Sequence, residues 1–167
     1  MTTRRRHRHV EPDNQIRFPR PVPNVKLNVA NIAIRDGKTT DAAAWESLRR
    51  KLWPDGAADH GPEIAAFFDG KHFRDLTAVL IAEDGTGGIV GFAELSIRDD
   101  VPTLRGVRTG YVEGLYVVPK ARFLGVARKL LQASRTWARE QRCAAFASDR
   151  ADRIVVDRSF ANVGTEQ

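Results

Sequence analysis

Hydrophobic residues recur along the chain with two periods, and the two periods divide it into strands and helices. LTAVLIAE (76–83) and IVGFAELSIR (89–98) are β-rich runs separated by Asp84-Gly85-Thr86-Gly87-Gly88. That spacing predicts an antiparallel hairpin. In its second strand Ile89, Gly91, Ala93, Leu95 and Ile97 share one face, with Val90, Phe92, Glu94 and Ser96 on the other. Further on the period lengthens: Val126, Leu130, Ala133, Ser134, Trp137 and Ala138 fall on one side of a helix, while Arg128, Lys129, Arg135, Arg139 and Glu140 lie largely elsewhere. The alternation of 29–35 predicts a first strand. Asp41 is placed to cap a helix carrying Trp45, Leu48, Leu52 and Trp53, which Pro54-Asp55-Gly56 ends. Pro62 opens a short second helix through Phe67 and Phe68. Residues 111–118 and 143–148 read as strands and 99–110 as a loop. The order β, α, α, β, β, β, α, β predicts an α/β (α+β) domain, a mixed sheet with helices packed on it.

At 167 residues, 42% apolar and 29% charged, the chain has room for one globular domain with a proper core. No stretch approaches the ~20 apolar residues of a membrane span. The start MTTRRRHRHVEPDNQ is basic but has no apolar stretch behind it, so it does not read as a secretory signal, and the expectation is a cytoplasmic protein. Residues 1–28, with their RRRHRH cluster and four prolines, read as a disordered basic extension. Cys143 is the lone cysteine and sits in an apolar run, so it reads as a buried structural thiol and excludes an intrachain disulfide.

The net charge of +6 changes meaning once divided. Residues 1–31 hold seven Lys/Arg against two Asp/Glu, leaving the rest nearly neutral. Within that remainder, 55–100 holds ten acids and three bases, and 101–150 ten bases and three acids. Two solvated faces would give this pattern; so would an enzyme that takes a cationic substrate on one side and an anionic cofactor on the other. The basic extension has no base-reading motif behind it, so no specific nucleic-acid partner is expected.

Two places carry candidate chemistry. Arg122, Gly125 and Ala127 leave a short turn before the long helix, which is either a close-packed connection or a cradle for a phosphate at the helix N-terminus. Glu94 interrupts a strand near its middle and belongs either to a solvated sheet face or to a cleft.

Arg122-x-x-Gly125-x-Ala127 resembles the acetyl-CoA loop of the GNAT-type N-acetyltransferases. Gly91-Phe92-Ala93-Glu94, the run from Glu113 to Pro119, and Ala147-Ser148-Asp149 are similar, in that order, to the aminoglycoside 6'-N-acetyltransferases, as are Ile34-Arg35, Trp45 and Leu52-Trp53-Pro54. The resemblance covers roughly residues 32–149. It implies acetyl-CoA as co-substrate, an aminoglycoside as acceptor, antibiotic resistance as the outcome, and neither a metal nor a membrane partner; a homodimer is a state it allows. By resemblance, the amides of Leu124, Gly125, Val126, Ala127 and Arg128 with Arg122 hold the CoA pyrophosphate, and amides near Val117 and Val118 meet the pantetheine arm. Glu94 accepts the proton of the amine, while Trp45, Asp99, Asp100, Glu113 and Asp149 border the cationic substrate. An enzyme of this kind acting on another amine, or an impaired remnant of one, stays open as an alternative.

Two departures from that family stand out. After Asp149 its members continue into a helix and a final strand, whereas this chain reads RADRIVVDRSFANVGTEQ. The expectation is a GNAT core over 29–150 whose C-terminal helix and strand are absent or replaced by an atypical tail at 151–167. Phe123-Leu124 also stands where a small or basic residue is usual.

Overall fold

A computed structural model describes residues 31–56, 59–71, 76–150 and 153–160. The described elements are β1 (Ala33–Asp36), α1 (Ala42–Leu52), α2 (Gly61–Phe68), β2 (Leu76–Glu83), β3 (Ile89–Arg98), β4 (Thr109–Val117), α3 (Val126–Glu140), β5 (Ala145–Arg150) and β6 (Arg153–Val156). The strands form one sheet in chain order, antiparallel throughout except for the parallel pair β4 and β5. That exception follows from α3, whose length carries the chain back over the sheet between the two strands.

The hairpin of β2 and β3 forms where the pattern places it. Asp84 organises its turn: Oδ1 accepts from the Thr86 and Gly88 amides, both at 2.9 Å, and Gly87 takes a φ of +83° that a side chain would resist. The first strand is shorter than the alternation suggests. It spans Ala33–Asp36, and the start expected at residue 29 lies outside the described residues, as does the whole 1–28 extension. Asp41 stands at the N-cap of α1 but makes no cap hydrogen bond there. Its carboxylate instead takes both Arg35 Nη atoms, at 2.7 and 2.9 Å, and the Lys38 amide. A buried carboxylate beside a guanidinium gains more from that pairing than from one amide.

Helices cover both faces of the sheet. Gly91 and Gly110 face Leu130 and Ala138 of α3, while Glu94 and Gly114 face Trp45 and Trp53 at the α1 side. Contact is close enough to exclude side chains: a Cβ on Gly110 would come within 2.5 Å of the Ala138 Cβ, and one on Gly114 within 2.6 Å of the Trp53 ring. The apolar stripe of α3 meets the sheet as the helical period requires, with Val126, Leu130, Ser134 and Ala138 buried. A second, smaller cluster forms where Val101 of the 99–108 loop closes over Tyr111 and Ala147.

The segment after β5 is more integrated than a bare tail. β6 pairs antiparallel with β5, and Phe160 is buried with its ring stacked on Phe146 at 5.7 Å. Arg139 lies over the Phe160 ring, Arg135 pairs with Asp157, and the Asp157 amide donates to the Phe146 carbonyl. Of the two expected alternatives, loss or replacement of the final elements, the tail thus fits replacement. Ile154 and Val156 alternate inward and supply a sixth strand, and Phe160 fills a core position.

Candidate active site

The site begins at a fault in the sheet. Along β3 and β4 the partners are Glu94 with Gly114, then Leu95 with Val112, so Glu113 is an extra residue in β4, a β-bulge. The pairing of β4 with β5 ends at the same level, at Val112 with Ser148. Beyond it the two parallel strands part and leave a cleft of about 600 Å³. Glu113, Gly114, Ser148 and Asp149 line it at the fork, Trp53 from the α1 side, and Arg135 from α3.

The fork leaves part of β4 without a strand neighbour on one side. Val118 N–H is spent on the Val90 carbonyl, so the two-residue period of an antiparallel ladder turns the Leu115 and Val117 N–H groups toward the open edge. Of the two amides expected to meet a pantetheine arm, Val117 faces the opening and Val118 does not. The Leu115 N–H, which the sequence does not single out, faces the opening alongside that of Val117.

Carboxylates at the fork are held by side-chain partners. Both oxygens of Glu113 accept from Arg98, at 2.7 Å each, and one also accepts from Ser96 Oγ. Arg98 in turn lies over the Tyr111 ring, 4.4 Å from its centroid. The Tyr111 hydroxyl donates to Asp149, and burial together with that bond pushes the phenol up from its ordinary value. Asp149 and Glu113 are therefore fixed in position, acceptors that line the cleft and suit an ammonium group.

Glu94 lies one layer deeper, 3% exposed. Its Oε1 accepts from Trp45 Nε1 at 2.8 Å, and Arg49 Nε stands 2.9 Å away. Arg49 Nη1 donates to Glu63 at 2.8 Å, and the guanidinium lies 5.3 Å from the Trp53 ring. Burial pushes the Glu94 carboxyl up to about 7, against the opposing pull of Arg49 and Trp45. A carboxyl poised there exchanges protons near neutral pH. It sits behind Gly114, its partner across the ladder and a wall of the cleft.

At the far end of β4 a 3-10 turn, Pro119–Ala121, leads to α3. Gly125 holds the N-cap in the left-handed region, φ +78°, and no side chain caps the helix. The first intrahelical acceptor is its own carbonyl, taken by Lys129 N–H at 3.0 Å, so the amides of Val126, Ala127 and Arg128 point outward without helical partners. A Cβ on Gly125 would meet nothing within 4 Å. Arg122 Nε donates to the Val117 carbonyl, leaving its two Nη groups toward a cavity of about 370 Å³ that Gly125, Ala127 and Arg128 also line. Open amides, a helix dipole and two guanidinium groups fit a pyrophosphate.

Residues 42–156 match the Acetyltransferase (GNAT) family. The chain belongs to this family. An aminoglycoside N(6')-acetyltransferase type 1 of Klebsiella aerogenes is 47% identical over 117 residues, which cover 70% of the chain and 76% of that relative. One from Stenotrophomonas maltophilia is 40% identical over 118 residues, 70% and 73% of the two chains. Among solved structures, AAC(6')-Iy in complex with the bisubstrate analog CoA-S-monomethyl-acetylneamine superposes with a TM-score of 0.64 at 31% identity, over 73% of this chain and 81% of that one. AAC(6')-Iy in complex with CoA also superposes with a TM-score of 0.64 at 31% identity, over 73% of this chain and 78% of that one.

Not every residue named from the sequence meets the cleft. Glu113 and Asp149 line it, whereas Asp99 and Asp100 are exposed on the loop after β3 and outside its lining. Trp45 is fully buried, edge-on to Phe67 and Phe68, and reaches the site only by its bond to Glu94. Of the two tryptophans of this helical stretch, Trp53 is the one that lines the cleft. It caps the C-terminus of α1, just before Pro54, and packs against the core as well as lining the cleft. Cys143 is buried, as its apolar run suggests, and burial pushes its thiol up.

Proposed function

We propose that the chain transfers the acetyl group of acetyl-CoA to the 6'-amine of an aminoglycoside. The observation that carries this reading is the fork at Glu113, which joins an acidic pocket and an amide-built anion cradle through one exposed strand edge. Acetyl-CoA brings an acyl group activated as a thioester.

The chain's own residues do the rest. The outward amides of Val126, Ala127 and Arg128, with Arg122, hold the pyrophosphate. Leu115 and Val117 N–H fix the arm along β4 and offer a donor to the acyl oxygen, where negative charge develops. Glu113 and Asp149 accept hydrogen bonds from ammonium groups of the substrate, and Trp53 gives its rings an apolar wall. Glu94 takes the proton that the attacking amine releases, through water, because the Gly114 backbone stands between it and the cleft.

An acetyl-CoA thiol-release assay with tobramycin or kanamycin as acceptor tests the reading. Release that depends on the acceptor is expected. Folded protein that binds acetyl-CoA yet releases no thiol with either acceptor would overturn it.

A further inference from the structure

Phe123 combines three properties that burial and packing do not explain. Its φ is +63°, a left-handed conformation that bulky residues rarely adopt. Its side chain is fully exposed, and it is the one exposed aromatic among the described residues. It also stands between Arg122 and Gly125, on the rim of the cavity at the start of α3. A backbone in a costly conformation whose side chain buries nothing gains no packing in return, and such positions concentrate where a ligand uses them.

The chemistry of acetyl-CoA supplies an occupant. Its acyl-pantetheine arm joins a pyrophosphate, and the pyrophosphate joins an adenosine. With the arm along the open edge of β4 and the pyrophosphate on the amides of Val126–Arg128, the adenosine leaves the cradle on its solvent side. That is the side on which the Phe123 ring projects, with Leu124, 45% exposed, beside it. We propose that Phe123 is the adenine-stacking residue of this site, presenting its ring face to the base while Arg122 and Arg128 serve the phosphates. The proposal rests on the cradle reading of the α3 N-terminus.

Binding of acetyl-CoA and of acetyl-pantetheine, which lacks the nucleotide, is measured calorimetrically on the wild-type chain and on Phe123→Ala, Phe123→Gly and Phe123→Tyr. The wild type should bind acetyl-CoA more tightly than acetyl-pantetheine. Loss of the ring should weaken acetyl-CoA roughly five- to tenfold, toward the lower end of what base–aromatic stacking contributes, and leave acetyl-pantetheine unchanged. Phe123→Tyr should keep the affinity. Phe123→Gly should lose it while melting no earlier than the wild type, because glycine is at ease with a positive φ. Unchanged acetyl-CoA binding in the alanine and glycine variants, with the wild-type preference intact, would overturn the stacking role and leave the cradle standing. An equal loss for both ligands would overturn it by showing a rearranged loop. A wild type without preference for acetyl-CoA would sink the cradle and the stacking role together.

Discussion

The two ends of the cleft present charge by different means. At the α1 end, acidic side chains are held by other side chains: Glu113 by Arg98 and Ser96, Asp149 by Tyr111, and Glu94 by Trp45 and Arg49. At the α3 end the donors are backbone amides on a glycine-led helix start, and the neighbouring side chains are exposed. In the first arrangement every carboxylate depends on a side-chain partner, and around the buried Glu94 one truncation leaves a charge stranded. In the second the backbone amides supply most of the donors, and each side chain would add a screened increment. Truncations should therefore be costly at one end and mild at the other.

The largest effect should come from Arg49. It is 5% exposed and serves Glu63 and Glu94 together. Arg49→Met strands the buried Glu94 and the half-buried Glu63, and about 3 kcal/mol of stability should be lost, as for other buried pairs broken on one side; chemical denaturation would measure it. Adding Glu94→Gln to Arg49→Met should restore part of that loss. If Arg49→Met melts with the wild type, the acidic end is not an interlocked unit.

Glu94→Gln comes next and should cut turnover at least tenfold. Proton acceptance requires the ionised form, so activity of the wild type should rise with pH through about 7 and the variant should lack that limb. Stability responds with the opposite sign. A carboxyl at about 7 in the folded chain and 4.5 when unfolded favours folding below pH 4.5 and loses that contribution as pH rises to 7. Glu94→Gln should flatten this part of the stability profile, and a turnover equal to that of the wild type would remove Glu94 from the mechanism.

These two residues were unequally visible in the sequence. Glu94 shows itself as a carboxylate inside an alternating strand, a purely local signal. Arg49 sits in Arg49-Arg50-Lys51, a run that reads as a solvated helix end, and only the convergence of Glu63 from α2 and Glu94 from β3 marks it. The hairpin and α3 were legible because their turn and period are local too. The bulge at Glu113 was not, since it exists only in the register between β3 and β4, and neither was the partnership of β6 with β5, formed by four residues of weak pattern. Trp45 and Trp53 share one helical stripe, so periodicity alone could not tell the buried ring from the one at the cleft.

At the α3 end, Gly125→Ala should weaken acetyl-CoA about tenfold. The φ of +78° costs an L-residue roughly 1 kcal/mol, and the new methyl points into space that no protein atom occupies within 4 Å, where a phosphate would lie. Binding should therefore fall further than a melting shift of that size accounts for. Equal losses in the two measurements would mean that the glycine serves only the turn.

The smallest effect should belong to Arg122→Ala. The residue is exposed and its Nε is already committed to the Val117 carbonyl, so what it adds to a bound pyrophosphate is a partly screened charge. The KM for acetyl-CoA should rise about threefold at low salt with kcat unchanged, and the difference from wild type should shrink as ionic strength increases. A salt-independent loss of tenfold or more would show that a side chain, not the amides of Val126–Arg128, governs this end. The contrast between the two ends of the cleft would then fail where it is most exposed to test.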